Sequence, residues 1–269
     1  SITLLLAGFS AFEVLSYRWG VASIVLIVFG WLSGCNFRLA GKDWGVVFLL
    51  SLLRAVTSFS LIIAYQNIAS GVASTIHFMY PLAVALAMMF FFREKKSLLV
   101  ILAVLMSLLG AALLSLGELE AKSGNTMVGL VAACVSVFSY AGYIVGVRTT
   151  RVVQINSTAL TCYVMGLGTI FYLIGAYCTS GLQLVSDGYT WLIILGLALP
   201  ATAISNITLV QAIKYAGPTL TSILGAMEPL TAVVIGVFVF KELFTVNSAV
   251  GIILILLAVS IVVFRRQKS

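Results

Sequence analysis

Charge is what this sequence of 269 residues has least of: Asp, Glu, Lys and Arg make up 9% of it, where a soluble domain carries about 25%. With 62% hydrophobic residues and a mean hydropathy of +1.18, that scarcity excludes a water-soluble globular fold and leaves an all-α polytopic membrane protein. One histidine and eight acidic residues scattered over different loops do not make the clustered metal or acid–base centre that an integral-membrane enzyme needs. No metal and no cofactor is therefore expected. The four cysteines, Cys35, Cys134, Cys162 and Cys178, lack CxxC spacing and mostly fall in apolar stretches, which points to packing. Absence of a Gly-x-x-x-x-Gly-Lys loop excludes direct ATP hydrolysis as a drive. No nucleic-acid partner follows from the net charge of +7, because uneven loop charge explains it.

What is present is a duplication. Residues 78–94 return 148 positions later as 226–242, with Met79/Met227, Pro81/Pro229, Leu82/Leu230, Phe90/Phe238, Phe92/Phe240 and Glu94/Glu242 identical. The register holds upstream at Ala64/Ala212 and Ser74/Ser222, and Trp44 aligns with Trp191 after a one-residue gap. Nine apolar runs, near 12–32, 44–66, 71–92, 98–117, 127–147, 158–179, 190–213, 218–240 and 246–264, approach the roughly 20 residues that cross a bilayer. The duplication asks for a tenth. Residues 1–9 supply its end, read as a first helix truncated here, just before Ser10-x-x-Glu13, which has the form of a reciprocal helix-capping box. The expected organisation is two five-helix repeats, 1–117 and 127–269, joined by a linker at 118–126.

Alternate loops divide the basic residues unevenly. One side holds Arg38, Lys42, Arg93, Lys95, Lys96, Arg148, Arg151, Lys214, Arg265, Arg266 and Lys268; the other holds Lys122 and Lys241. The rich side is expected to be cytoplasmic, with both termini inside. Five helices per half is odd, so the halves cross in opposite senses as inverted repeats, the plan of alternating-access carriers.

The paired Pro-x-x-(Ala/Val)…Phe-x-Glu endings, each followed by a further apolar helix, together with Arg18 early in its helix, resemble the drug/metabolite transporter superfamily in its ten-helix EamA-type branch. The resemblance spans the chain apart from its start. It implies a central cavity lined by the third, fourth, eighth and ninth helices, with the first and sixth as gates. Relatives in that branch are associated with amino acids, nucleotide sugars, triose phosphates, choline and other metabolites, so the resemblance names no cargo.

Ionisable groups at bilayer depth cost about 2.5–3.5 kcal/mol each on insertion scales, so each needs an interior partner or a wet cavity. Arg54 lies near the middle of 44–66, with Thr57, Ser58 and Tyr65 at helical spacing on one face. Glu228 is similarly central in 218–240, on a stripe with Thr221, Gly225 and Thr231. His77 shares a face with Ser70, Ser74 and Pro81. These stripes are expected to converge on one midplane pocket for a zwitterion, with the Arg54 fork on a carboxylate and Glu228 facing an ammonium or carrying a proton. The competing reading is a buried neutralising pair, Arg54 with Glu228 or Glu228 with His77. The halves are not equivalent here: Tyr80 occupies the slot matched to Glu228, and Ala201 or Thr202 the slot matched to Arg54.

Tyr65, Tyr80, Tyr140 and Tyr143 offer aromatic faces to an amine or aromatic cargo, or serve as interface packing. Asn206 and Ser205, and Ser136 and Ser139, face the same cavity or bond neighbouring helices. Arg18 is read as an anchor that snorkels outward or pairs with Glu13. Pro81 and Pro229 each remove an intrahelical bond and act either as paired hinges or as packing kinks. The function that follows is a secondary carrier, more often an exporter, of a small polar organic metabolite such as an amino acid. Proton or counter-substrate coupling is expected, in a monomer spanning the plasma (inner) membrane. An exchanger of nucleotide sugars or amines is the runner-up; a membrane enzyme or receptor stands behind both.

Overall fold

The computed structural model describes residues 8–94, 98–115, 124–179, 181, 183–225, 227, 228, 231 and 246–267. The stub of the expected first helix, Pro229 and most of the 225–245 stretch lie outside them. Helices are α1 (Ala11–Leu32), α2 (Trp44–Asn67), α3 (Ser70–His77), α4 (Tyr80–Phe91), α5 (Leu98–Ser115), α6 (Thr126–Thr149), α7 (Ser157–Thr179), α8 (Gly188–Ala198), α9 (Ser205–Ala216), α10 (Pro218–Leu224) and α11 (Val246–Gln267). Among the described residues there is no strand, and six helical stretches are long and apolar enough to cross a membrane, with shorter apolar helices at Leu98–Gly110 and Ala249–Ile261.

The start of α1 forms as its sequence requires. Glu13 N donates to Ser10 Oγ at 3.3 Å while Ser10 N donates to the Glu13 carboxylate at 2.7 Å, completing both halves of the box. The buried carboxylate also receives Gln183 N at 2.6 Å, and Tyr17 donates to Gln183 O at 2.5 Å. Glu13 thus has backbone partners where Arg18 was one expected option.

By contact the chain divides into two compact units, Ser1–Phe59 with Gly146–Tyr215, and Ser60–Val145 with Ala216–Ser269. Each unit draws on both sequence halves, and the division falls inside α2 and α6. In the first unit the ring of Trp19 lies where any Cβ on Gly168 would sit, so only glycine lets α7 approach α1 so closely. In the second, Gly110 comes against the backbone of α11, with Gly251 O 2.7 Å from the position of a Cβ. Ala85, Ala103, Val104, Ile223 and Ala258 form an adjacent buried cluster. Segments distant in sequence are bonded together within each unit: Glu13 and Tyr17 with Gln183, Phe37 with Tyr163, and Arg148 with Lys214 in the first; Asn67 with Asn125 and Glu94 with Thr219 in the second.

Two helices break at proline. Between α3 and α4 the chain turns at Phe78–Met79, and Pro81, lacking an N–H, cannot bond the His77 carbonyl four residues back. Between α8 and α9, Pro200 opens a π-helix, Leu199–Ile204, whose end is marked by Ser205 N reaching back five residues to Pro200 O.

Candidate functional site

In the first unit the π-helix organises two arginines. Arg54, on α2, donates from Nε and Nη2 to the single oxygen Oδ1 of Asn206 at 3.2 and 3.1 Å, and from Nη1 to Ser58 Oγ at 3.2 Å. Ser58 lies one helical turn on from Arg54, which is the i, i+4 geometry its face implied. The Asn206 amide is oriented from its other end, where Nδ2 donates to Thr202 O at 2.7 Å, and its side chain is buried. Arg18, on α1, reaches the same turn from another direction: Nε donates to Thr202 Oγ1 at 2.5 Å and Nη2 to Ala201 O at 3.4 Å. The Thr202 hydroxyl passes its own proton to Leu197 O at 2.8 Å, a carbonyl five residues back that an unbroken α-helix would occupy with a backbone N–H.

Arg18, Thr202, Asn206, Arg54 and Ser58 therefore form one hydrogen-bonded chain, and the acceptors named for it are hydroxyls, a side-chain amide and backbone carbonyls. Tyr172 closes one flank, donating to Ala55 O at 2.8 Å and meeting Trp19 edge-on, centroids 5.1 Å apart. Such an arrangement holds guanidinium planes in set orientations, the requirement for two-pronged recognition of a carboxylate or phosphate.

In the second unit the candidates form an aromatic cluster. His77, at the end of α3, bonds through Nδ1 to Ser136 Oγ at 2.9 Å, and Ser136 Oγ is itself 2.6 Å from Ala133 O. The imidazole stacks on Tyr140 (centroids 5.4 Å apart, 24° between planes) and tilts against Tyr80 at 5.5 Å. Tyr80 meets Tyr140 edge-on at 4.6 Å, and Tyr140 lies parallel to Tyr143 at 6.4 Å. Tyr80 and Tyr143 are buried. Tyr65 and Ser74 share a hydrogen bond of 3.1 Å. Glu228 is exposed, with its backbone N–H on Gly225 O at 3.0 Å. Gly225 occupies the slot matched to His77, 148 residues on, and a Cβ there would collide with the Tyr80 hydroxyl.

The predicted site residues thus divide between the two units: Arg54, Ser58 and Asn206 in one; Tyr65, Ser74, His77, Tyr80, Tyr140, Tyr143 and Glu228 in the other, where His77, Tyr80, Tyr140 and Tyr143 form the ring cluster. In the sequence Thr202 is only one of two residues, with Ala201, for the slot matched to Arg54, and nothing there beyond the one-residue gap beside Pro200 marks it as the acceptor for Arg18.

The sequence model of the EamA-like transporter family matches residues 2–116 and again 127–264. One solved structure, described only as "Crystal structure of protein", aligns with a TM-score of 0.79 at 18% identity, covering 96% of this chain and 91% of that one; identity this low speaks to fold alone. No curated protein matches significantly.

Proposed function

We propose that this chain, which belongs to the EamA-like transporter family, is a secondary carrier that exports a small zwitterionic metabolite of the amino-acid class. Membership makes it a multi-pass membrane transporter; cargo and direction are the further step. The observation that carries the cargo is the Arg54 guanidinium, fixed by Asn206 and Ser58 with its plane set; direction follows the resemblance to the branch. A planar fork pairs with a carboxylate through two parallel hydrogen bonds, which a lysine ammonium cannot reproduce. The ring cluster of His77, Tyr80 and Tyr140 offers π faces suited to an ammonium or aromatic group. The same cluster favours a second reading, an amine lacking a carboxylate.

The fuller architecture belongs to the same reading: ten helices in two inverted repeats, 1–117 and 127–269, with both termini cytoplasmic in the plasma (inner) membrane, and a proton or counter-substrate as the drive. Reporter fusions after Gln267 and within 117–125 test the topology, and must report opposite sides.

Counterflow into proteoliposomes with a panel of amino acids, their decarboxylated amines and nucleotide sugars tests the cargo. Arg54→Lys is expected to cost about tenfold or more for a carboxylate cargo, the equivalent of one good charged hydrogen bond, and to spare the amines. Glu228→Gln should remove transport or its pH dependence with folding near normal. Near-wild-type transport in both variants refutes the site assignment. Transport of amines in preference to amino acids replaces the carboxylate reading with the second.

A further inference from the structure

A separate cavity of about 420 Å³ lies at the junction of the α6–α7 connection with the end of α9, lined by residues of Arg148–Thr158 and Gln211–Tyr215. It shares no residue with the Arg18 and Arg54 chain, although Gln211 stands on α9 one helical turn and one residue beyond Asn206. Its two charged lining residues are Arg148 and Lys214, and among the described residues no carboxylate lines it. Both cations are held by backbone: Arg148 Nη1 donates to Lys214 O at 2.7 Å, and Lys214 Nζ donates to Ile155 O. Each therefore fixes the strand of chain that carries or faces the other. A guanidinium has five N–H donors and an ammonium three, so these anchors orient the groups without exhausting them. Gln154, Asn156 and Gln211, all exposed, add side-chain amides to the rim.

Two fixed cations, amide donors and a volume fit for a headgroup describe a receptor for an anion with several oxygens. The residues also sit where helices end, at Thr149, Ser157 and Ala216, on the side that loop charge assigns to the cytoplasm. There anionic lipid headgroups concentrate, and basic pockets between helices bind them.

We propose that this cavity binds a phosphate-type anion through Arg148 and Lys214. The chemistry is shared by the headgroup of an acidic phospholipid and by free phosphate, and the two sources separate in one experiment. The intact chain is reconstituted in nanodiscs of phosphatidylcholine alone or mixed with phosphatidylglycerol. Lipid retained after release is read by native mass spectrometry, and inorganic phosphate is titrated into the phosphatidylcholine discs with melting temperature as readout. Preferential retention of phosphatidylglycerol identifies a lipid site; a phosphate-dependent rise in melting temperature identifies a soluble one.

Arg148→Gln and Lys214→Gln should each weaken whichever binding is found by about fivefold, the expectation for one cation near a membrane surface. Gln154→Glu places a carboxylate on the exposed rim without touching either cation's anchor, so it decides the matter if the other variants fold poorly. It should weaken binding by up to about fivefold, again the effect of one charge near a membrane surface, with the melting temperature in phosphatidylcholine unchanged. Equal retention of both lipids with no phosphate response overturns the proposal, as does anion binding that Gln154→Glu leaves unchanged. Because every readout is binding or melting, the result stands whether or not the cargo assigned above is correct.

Discussion

The two sequence halves contain the same helix built in two ways. From Trp44 to Ala64 the first half takes 20 steps in an uninterrupted helix; from Trp191 to Ala212 the second takes 21 and passes through a π-helix at Leu199–Ile204. A π turn is an α-helix with one residue inserted, so the one-residue gap in the alignment has a structural location. The inserted residue turns the Thr202 hydroxyl and carbonyl to Arg18 and Asn206. The first half carries an arginine near the matched place and the second carries the acceptors it needs. The helix starts differ as well. Asp187 caps α8 through Thr190 N at 2.7 Å, while Ala40, at the matched position, precedes a 3-10 turn with no side-chain cap. Duplication set a common frame, and small local departures from it made the polar chain of the first unit.

The strongest way to break this comparison is to remove the extra residue. Deleting exposed Ala201 should restore α-helical register, withdraw Thr202 from Arg18 and misalign Asn206 with Arg54 together. Transport in proteoliposomes is expected to fall by about 100-fold or more, as for angstrom-scale misplacement of a binding group. Near-normal transport would remove the π-helix from the argument.

Asn206→Asp is smaller and more selective. The carboxylate pairs with Arg54 but cannot donate to Thr202 O, so its effects on stability oppose each other. It also competes with a substrate carboxylate for the guanidinium. KM for a carboxylate cargo should rise about tenfold, with little change for amines. An unchanged KM would show that Arg54 does not meet the cargo.

Gly225→Ala sharpens the matched slots His77 and Gly225. The new methyl meets the Tyr80 hydroxyl and should destabilise by about 1–3 kcal/mol, the usual cost of overpacking, read as a lower melting temperature. Adding Tyr80→Phe removes the hydroxyl and should recover most of the loss. Failure of that rescue would locate the strain in the backbone.

The smallest effect concerns the helix starts. The hydrogen bond from Thr190 N holds the Asp187 carboxyl below its ordinary pKa. A carboxylate with a depressed folded pKa contributes stability above its unfolded pKa and loses it as pH falls through the folded one. Wild type should therefore lose a small increment of melting temperature over that acidic window that Asp187→Asn lacks. Identical profiles would show that the cap contributes nothing measurable.

Much of this was legible in residue order. Apolar runs placed α1, α2, α6 and α7 within a few residues of their observed bounds, because a helix in lipid must satisfy its own backbone and its length is set by the bilayer. Ser10 and Glu13 signalled their cap because both partners lie within one turn. Ser58 was identified as a neighbour of Arg54 for the same reason. The duplication and the charge asymmetry of the loops were likewise visible without coordinates.

The partners of the two arginines were not. Asn206 and Thr202 stand 152 and 184 residues from Arg54 and Arg18, and such pairings depend on which helix faces pack, a choice among many that spacing leaves equal. Nor could periodicity divide the ten candidates into an arginine–amide set and an aromatic set, since both follow the same helical repeat. Local interactions fix helices, caps and neighbours one turn apart because the chain itself holds those groups close. Tertiary packing alone decides which distant polar groups meet, because in an apolar interior each must find its partner on another helix.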